Sequence, residues 1–390
     1  MRGWVMRRLL YIHHGESKGG APRSLAFLIK QLDKTKYEPY VLIRSDREEN
    51  KKLFESVGAK VIYCKNFGPW HGSTVANVKF KRVLSNLKYV IPTYRNTKSV
   101  IEQIKPDIIH LNSTCLCFAA QSAKRYFPEI PIVCHVREPL LENFWGDILR
   151  KRVNKYVDQF VAIEKYDADS LHTKKPVTVI HNFVDFDLYN ESVVSDCLRQ
   201  ELKIGNDEKI ILYLARICSQ NGAVELASAM EPLLQRRKDY HLVIVGLVDG
   251  YTSSYEKQLE QIVSRNPENM HVLPFRSDVP QVIASSDVMA VPFQEPHFAR
   301  SVIEANAMGV PCIASDIGGL EELVIDQQTG YLFDYYTFNG FNDLCQSLLD
   351  DTKTYNRLRE NAIGFAHERF DAVKNAKRTF AIYDEIFQKY

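Results

Sequence analysis

The 390-residue sequence has no apolar run near the ~18 residues that a membrane-spanning helix needs. Its eight cysteines are scattered and form no C-x2-C pair of the kind found in zinc and redox sites. Net charge is also small, at +2, although charged residues make up 25% of the chain. These features predict a cytoplasmic protein with reduced cysteines that has no nucleic-acid partner and is at most peripheral on the inner face of the cell membrane.

Motifs of two common nucleotide-binding classes are missing as well. The glycine-containing segment at residues 15–24 lacks the G-x-G-x-x-G spacing of dinucleotide-dependent oxidoreductases. No Gly-Lys-Ser or Gly-Lys-Thr follows Gly15 or Gly20, as the P-loop of a nucleotide hydrolase requires. The sequence Asp167-Ala168-Asp169 has D-x-D spacing, but it stands at a predicted helix start, where capping is the more frequent role. No motif of the chain therefore indicates a metal site.

What the sequence does contain is a regular alternation of short β-branched runs with helical patterns, which predicts βα units and parallel sheets. The alternation is interrupted by a polar, turn-rich segment and then starts again. The chain also exceeds the ~250 to 300 residues at which a single core stops growing. We therefore predict an α/β protein with a Rossmann-like domain at residues 1–180, a linker at 181–206, a second such domain at 207–368 and a final helix at 369–390.

Polar and small residues follow many of the predicted strands. In open parallel sheets, ligands bind outside the carboxyl ends of the strands, so these positions are the candidates for a binding edge. Each residue has an ordinary structural explanation when it is taken alone, and only the set indicates a site. The set comprises His13, His14, His110, His135, His181, Gly246, Pro292 and Ser315.

The segment from Asp287 to Gly330 is the most informative part of the chain. A predicted strand leads into a loop and then into a helix from about Ala299 to Met308, which ends at Gly309 because a glycine favours the left-handed cap. The amino terminus of this helix carries a partial positive charge at the ligand edge, where a diphosphate would bind.

Two glutamates accompany this helix, Glu295 in the loop before it and Glu304 within it. One interpretation of Glu304 is an exposed pair with Arg300, four residues earlier. The order with the cation first is the weaker one, and such pairs contribute only ~0.2 to 0.5 kcal/mol. A ligand-binding role for Glu304 is therefore the favoured interpretation.

This segment resembles the signature of the retaining glycosyltransferases of family 4, of the form E-P-F-G-x4-E-A-M-A-x-G-x-P-V followed by a Gly-Gly pair and a glutamate. Weaker resemblance extends over nearly the whole chain, at segments beginning at Gly19, His135, Tyr166, His181 and Leu273. The residues that match the signature are Glu295-Pro296, Phe298, Glu304-Ala305, Gly309, Pro311, Gly318-Gly319 and Glu322.

The resemblance implies a GT-B fold, in which two Rossmann-like domains face a central cleft and the last helix returns to the first domain. It implies a hexosyltransferase without an essential metal and without a cofactor other than its nucleotide-sugar substrate. The implied partners are a UDP- or GDP-sugar and a glycan or lipid-linked acceptor, as in cell-surface polysaccharide or glycolipid synthesis.

Site residues follow from the same resemblance, position by position. Glu295 would bind the donor sugar, Glu304 the nucleotide ribose and Arg216 the diphosphate, while His135 would contact the sugar. The catalytic candidates are thus His135, Arg216 and Glu295. The other donor-binding candidates are Gly246, Phe298, Ala299, Arg300, Ser301, Glu304 and Asn221, and the acceptor-side candidates are Gly19, Gly20, His110 and Arg137.

The most serious departure from the family pattern is Asn221, which stands where a second phosphate-binding residue, a lysine, is usual. Removing one preorganised donor from a developing charge typically costs ~10² to 10³ in rate. We hypothesise that Arg300, in the first turn of the phosphate-facing helix, supplies the missing charge, because an arginine fork suits phosphate.

Other departures concern the loops. The spacing between the two glutamates is one residue longer than usual, with His297 as the predicted insertion, and Ala299 stands where glycine is typical. Phe183 replaces a hinge glycine, and Glu164 replaces a common serine.

Residues 65–105 contain eight Lys or Arg and a single acidic residue, Glu102, interleaved with aromatics. Two interpretations stay open, a solvated basic face or a docking surface for anionic lipid that brings a lipid-linked acceptor to the protein. Two alternatives to a transferase also stay open. One is a nucleotide-sugar epimerase of the same fold, and the other is a catalytically weak paralogue that only binds the nucleotide sugar.

Overall fold

The computed structural model describes residues 6–15, 20–44, 48–72, 80–248 and 250–389. Contacts between residues divide the chain into two compact units. Unit 1 comprises residues 1–182 together with 372–390, and unit 2 comprises residues 183–371. Each unit has its own parallel sheet and its own hydrophobic core.

The described part of unit 1 contains one seven-stranded parallel sheet. Its strands are β1 (Arg7–His13), β2 (Tyr37–Ile43), β3 (Lys60–Tyr63), β4 (Ile108–Leu111), β5 (Ile132–Val136), β6 (Gln159–Ala162) and β7 (Val177–Val179). Their order in the sheet is β3-β2-β1-β4-β5-β6-β7. The strand order reverses between β1 and β4, and the carboxyl ends of strands at such a switch point are the usual ligand-binding edge.

Helices cover both faces of this sheet, which explains why every residue of β4 and β5 is buried. They are α1 (Gly20–Lys30), α2 (Glu48–Ser56), α3 (Phe80–Ile104), α4 (Cys117–Tyr126), α5 (Phe144–Tyr156) and the short α6 (Lys165–Asp169). Two hydrophobic clusters, one on each face, form the core of unit 1.

The described part of unit 2 repeats this architecture with six parallel strands. They are β8 (Lys209–Leu214), β9 (Tyr240–Leu247), β10 (Met270–Pro274), β11 (Val288–Val291), β12 (Cys312–Ser315) and β13 (Gly330–Phe333). Their order is β10-β9-β8-β11-β12-β13, so the switch point lies between β8 and β11. The two parallel sheets confirm the predicted α/β fold of two Rossmann-like domains.

The helices of unit 2 are α7 (Cys197–Leu202), α8 (Ala223–Arg236), α9 (Ser254–Val263), α10 (Val279–Ala284), α11 (Arg300–Met308), α12 (Phe341–Asp350) and α13 (Thr352–Arg369). The sequence predicts a linker at residues 181–206. Within it, residues 183–206 belong to unit 2, include α7 and bury Val184, Leu198 and Ile204 in the core of that unit. Helix α11 ends at Gly309, which has the left-handed φ of +70° expected of its cap.

The last helix, α14 (Ala372–Lys389), belongs to unit 1. Ile382, Tyr383 and Ile386 lie in the same buried cluster as β1 residues. The Tyr37 hydroxyl of β2 donates a hydrogen bond of 2.5 Å to Asp384, which fixes the helix to the sheet. Across the described ranges of the chain, no helix has the length and apolar character needed to cross a membrane.

Candidate functional site

In unit 2, the segments that follow β8, β9 and β11 are packed closely at the carboxyl edge of the sheet. Gly246, at the end of β9, has a φ of +142°, and a Cβ there would lie 1.9 Å from the carbonyl oxygen of Ala215. Gly222 has a φ of +72°, and its Cβ would lie 1.9 Å from the carbonyl oxygen of Pro292. Only glycine permits both approaches, so the two positions fix the backbone of the candidate site.

Arg216 lies in the loop after β8, and its side chain is exposed at this edge. Its backbone carbonyl accepts two hydrogen bonds, from the Asn221 amide at 2.8 Å and from the Tyr213 hydroxyl at 3.0 Å. Asn221 is buried, so its amide orders the loop that carries Arg216. This contact gives Asn221 a structural role, while its predicted contact with the donor stays a prediction.

Glu295 lies in the loop after β11 with its side chain exposed. The loop of Glu295 is bonded to the loop that follows Arg216, because the Gln294 backbone N–H donates to the Gln220 carbonyl oxygen at 2.8 Å. The Cys218 thiol of that second loop is affected by the charges of both Arg216 and Glu295. Burial is the main cause that raises the pKa of Cys218, Arg216 lowers it and Glu295 raises it. The structure thus brings Arg216 and Glu295, two of the predicted catalytic residues, to the same part of the edge.

The predicted insertion His297 fills a defined place in this loop. Its ring stacks on Phe293, with ring centroids 4.2 Å apart and an angle of 13° between the planes. Its Nδ1 lies 2.9 Å from the Glu295 carbonyl oxygen, so Nδ1 carries a proton and donates it. Burial lowers the pKa of His297, which keeps the ring neutral. The extra residue therefore holds the loop folded next to Glu295.

Helix α11 presents its amino terminus beside this loop. Ala299 occupies the cap position and is buried, and an alanine has no side-chain oxygen to accept the backbone N–H groups of the first turn. Arg300 and Ser301 supply amides of that turn. Phe298 packs against the core of unit 2. A helix start without a side-chain cap suits a phosphate group.

Glu304, one turn further along α11, is buried with 8% of its surface exposed. The Arg300 guanidinium lies 3.5 Å from its carboxylate and 3.5 Å from the carbonyl oxygen of Phe183. The pair of Arg300 and Glu304 therefore forms, but it differs from the exposed pair that the sequence left open because Glu304 is buried. The Arg300 side chain extends along the helix towards Glu304, so the hypothesis that it replaces the missing lysine stays untested.

In unit 1, three side chains form a continuous hydrogen-bonded line at the switch point. His135 Nδ1 lies 2.7 Å from His110 Nε2, and His110 Nδ1 lies 2.5 Å from the Tyr383 hydroxyl of α14. His110 and Tyr383 are fully buried, and His135 is 6% exposed. Two of the predicted residues, His110 and His135, are thus in direct contact.

A second network surrounds Arg137. Its Nε and Nη2 donate to the Asn112 side-chain oxygen at 3.0 and 2.8 Å, and its Nη1 donates to the Asn182 oxygen at 3.2 Å. The Asn112 amide donates in turn to His13 Nδ1 at 3.0 Å and to the Ala21 carbonyl at 3.3 Å. Arg137 is therefore held in a fixed position beside the histidines.

These histidines are neutral. Burial, followed by the nearby Arg137, lowers the pKa of His110 to about 3. Burial, Arg137 and His110 together hold the pKa of His135 well below its ordinary value. Burial is also the main cause of the lowered pKa of His13. Near neutral pH each ring therefore has one N–H donor and one acceptor nitrogen.

Two of the acceptor-side predictions concern the glycine segment. Gly20 begins α1, and Gly19 lies outside the described residues. Asn112 and Tyr383 are not among the residues predicted from the sequence. Asn112 directly follows β4, so its position after a strand is a usable signal. Tyr383 gives no such signal, because it lies 273 residues from its partner His110 on the last helix.

Two family models match this chain. The model of Glycosyltransferase Family 4 matches residues 18–188, and the model of Glycosyl transferases group 1 matches residues 194–365. The chain belongs to the group 1 glycosyltransferases of the GT-B type.

Among curated relatives, the Bacillus anthracis N-acetyl-alpha-D-glucosaminyl L-malate synthase is 26% identical over 220 residues, which cover 55% of this chain and 55% of that protein. The match thus spans about half the length of this relative. The Escherichia coli UDP-Gal:alpha-D-GlcNAc-diphosphoundecaprenol alpha-1,3-galactosyltransferase is 22% identical over 317 residues, or 77% of this chain and 80% of that protein.

A solved structure supports the fold. The crystal structure of Anabaena HepE in complex with UDP aligns with a TM-score of 0.78 and 21% identity, covering 97% of this chain and 100% of that chain. The likeness confirms the GT-B fold predicted from the sequence.

Proposed function

We propose that this protein is a retaining glycosyltransferase that moves a hexosyl group from a UDP- or GDP-sugar to a glycan or lipid-linked acceptor, without an essential metal ion. The single observation that carries the proposal is the carboxyl edge of unit 2. There, the loops that carry Arg216 and Glu295 are joined by the hydrogen bond from the Gln294 N–H to the Gln220 carbonyl oxygen, at 2.8 Å. The start of α11 follows the Glu295 loop, and the buried Glu304 lies one turn further along that helix. A cation, an uncapped helix start and two carboxylates are the groups that a nucleotide sugar requires.

Each group has a separate task in the proposed reaction. Arg216 and the first-turn amides of α11 stabilise the charge that grows on the leaving diphosphate. Glu304 accepts hydrogen bonds from the ribose hydroxyls, and Glu295 accepts one from a sugar hydroxyl. His135 contacts the donor sugar, as the family resemblance implies.

The bond changes balance without any further reactant. The bond between the anomeric carbon and the diphosphate oxygen breaks, and a bond forms from the acceptor oxygen to that carbon. The proton of the acceptor hydroxyl passes to the departing phosphate on the same face, so that the anomeric configuration is retained. No side chain has to act as the base in this scheme.

A lipid-linked acceptor is supported by helix α3. Leu87 and Ile91 are 47% and 63% exposed, and Arg95 continues the same helical face at the next turn. Lys88 is also exposed beside them. Apolar residues next to basic ones suit an anionic lipid surface, which we propose as the partner of residues 65–105. The acceptor in the name of the E. coli relative, GlcNAc-diphosphoundecaprenol, is likewise linked to a lipid diphosphate.

Flotation with vesicles tests the lipid surface. The double variant Leu87→Ser and Ile91→Ser should lose binding to vesicles that contain anionic lipid. Val194→Ser in unit 2 is the matched control, because Val194 is an apolar residue that is 91% exposed elsewhere. Equal binding of both variants, or binding that does not fall with salt, would leave the basic segment as a solvated face.

Donor binding and turnover test the transferase itself. We expect one of UDP, GDP or ADP to raise the thermal midpoint, and Arg216→Ala to lower affinity for that nucleotide by on the order of 10-fold or more. Arg265→Ala is the control, since Arg265 is an exposed arginine of the same unit paired with Glu231.

The same assays separate the alternatives. A transferase hydrolyses its donor slowly and transfers the sugar only when an acceptor is present. An epimerase converts the nucleotide sugar without an acceptor. A paralogue that only binds, an alternative that Asn221 in the lysine position favours, shows affinity and no turnover.

A further inference from the structure

The line formed by His135, His110 and Tyr383 joins three separate elements of unit 1, the strands β5 and β4 and the last helix α14. The two distances, 2.7 and 2.5 Å, are those of strong hydrogen bonds. The rings of His110 and Tyr383 meet edge to face at 86°, which directs the hydroxyl at the imidazole nitrogen. His110 and Tyr383 are fully buried, so water does not compete for the hydrogen bond between them.

The direction of the protons along this line follows from acid strength. A phenol is a far stronger acid than the N–H of a neutral imidazole, and an imidazole nitrogen is a better acceptor than a phenol oxygen. Burial raises the pKa of Tyr383 well above its ordinary value, so the hydroxyl keeps its proton. The neighbouring Tyr11 hydroxyl has no hydrogen-bond partner among the described residues, so it does not compete with His110. Tyr383 therefore donates to His110 Nδ1, and His110, with Nδ1 occupied, carries its own proton on Nε2.

The next step is fixed in the same way. His110 Nε2–H donates to His135 Nδ1, which must then be the nitrogen without a proton. The neutral His135 ring consequently carries its proton on Nε2, the nitrogen that this line leaves for a ligand.

We propose that Tyr383 and His110 are positioning residues that hold His135 with its proton on Nε2, so that His135 donates a hydrogen bond to an oxygen of the donor sugar. This inference rests on the proposed function. It adds a mechanistic exclusion, since a His135 whose Nδ1 lone pair is occupied and whose Nε2 is protonated has no site left to accept the acceptor's proton. The inference also assigns a functional role to the last helix, because α14 carries Tyr383, the residue at the buried end of the line.

The test compares two tyrosine-to-phenylalanine variants of the full-length chain. Tyr383→Phe removes the hydroxyl that begins the line and keeps the ring in place. Tyr37→Phe is the matched control, because it removes the hydroxyl that bonds Asp384 on the same helix without touching either histidine. Both variants weaken the attachment of α14, so both should lower the thermal midpoint by a similar amount.

Only Tyr383→Phe should change the chemistry. We expect kcat of Tyr383→Phe to fall on the order of 10- to 100-fold, because losing a group that orients a functional histidine typically has an effect of this size. The kcat of Tyr37→Phe should stay close to that of the wild type. Nitrogen-15 NMR of labelled histidines gives the second readout, with the His135 signals identified by their loss in His135→Gln. The wild type should show a protonated Nε2 on His135, and Tyr383→Phe should show both nitrogens partly protonated.

A wild-type His135 that carries its proton on Nδ1 would overturn the proposal. An equal fall of kcat in Tyr383→Phe and Tyr37→Phe, in proportion to their loss of thermal midpoint, would also overturn it. If the wild type acts on no nucleotide sugar, it is the proposed function that fails, and the NMR measurement still decides the state of the line.

Discussion

One of the two closest backbone approaches in the candidate site gives the sharpest test, through Gly222→Ala. Gly222 has a left-handed φ of +72° and caps the start of α8, between the loop that carries Arg216 and the Pro292 carbonyl. Gly340 is a matched control in the same unit, since it caps the start of α12 with a φ of +79°. The two substitutions share the same backbone conformation and differ in the space around the new methyl group.

The expected magnitudes follow from this difference. Alanine in the left-handed region costs about 1–2 kcal/mol at either position. At Gly340 the added Cβ meets nothing within 4 Å, whereas at Gly222 it would lie 1.9 Å from a backbone oxygen. The two loops must then separate by roughly 1 Å, and such overpacking adds ~1–3 kcal/mol. Because a 1 Å misplacement costs on the order of 10²-fold in a well-organised site, donor binding and turnover should fall by a similar factor.

Calorimetric unfolding and isothermal titration with the nucleotide that binds provide the two measurements. Gly340→Ala should lower the thermal midpoint modestly and bind the nucleotide like the wild type. Gly222→Ala should lose more stability and most of its affinity. Equal losses in the two variants, or wild-type affinity in Gly222→Ala, would refute the inference that this glycine sets the distance between the two loops.

Three further predictions concern individual groups. Glu304→Gln should weaken nucleotide binding on the order of 10- to 100-fold while inorganic pyrophosphate binds as before, because the carboxylate is proposed to hold the ribose and not the diphosphate; equal loss for both ligands would contradict this. Arg300→Ala should weaken nucleotide binding several-fold, since the buried Glu304 loses the cation that lies 3.5 Å away. Unchanged affinity and turnover would exclude both a role of Arg300 in supporting Glu304 and phosphate binding by Arg300. The pKa values of His110 and His135 lie below the ordinary value in the folded chain, so the unfolded chain binds more protons as the pH falls. The free energy of unfolding should therefore decrease as the pH is lowered below 6.5, by ~1.4 kcal/mol per pH unit for each histidine. Urea titrations between pH 7 and 5 measure it, and a flat profile would show that these rings are not neutral in the folded state.

The fold was accessible from the sequence because its signals are local. Strand runs in parallel sheets are short, apolar and bounded by turns, and the end of α11 is marked by Gly309 with Pro311 after it. Polar residues after the strands predicted a ligand edge at the carboxyl ends of each sheet, and in unit 2 the loops after β8 and β11, which carry Arg216 and Glu295, lie at that edge.

The parts that the sequence did not reveal depend on contacts between distant residues. Nothing near Tyr383 in the chain indicates that its hydroxyl meets His110. The i, i+4 spacing predicted that Arg300 can reach Glu304, but the burial of Glu304 depends on the whole core of unit 2. Likewise, the sequence shows only that Asn221 stands where the family pattern has a lysine, whereas in the structure its side-chain amide donates a hydrogen bond to the Arg216 carbonyl.

Hydrogen exchange of the full-length chain, with and without saturating UDP, GDP or ADP, tests most directly the claim that unit 2 holds the nucleotide sugar. One nucleotide should protect the backbone amides of residues 215–222, 246–247 and 293–304, the three segments at the carboxyl edge around Arg216, Gly246 and α11. The edge strand β13 should exchange at the same rate with and without it. Protection confined to other segments, or no protection by any of the three nucleotides, would contradict the assignment of the site.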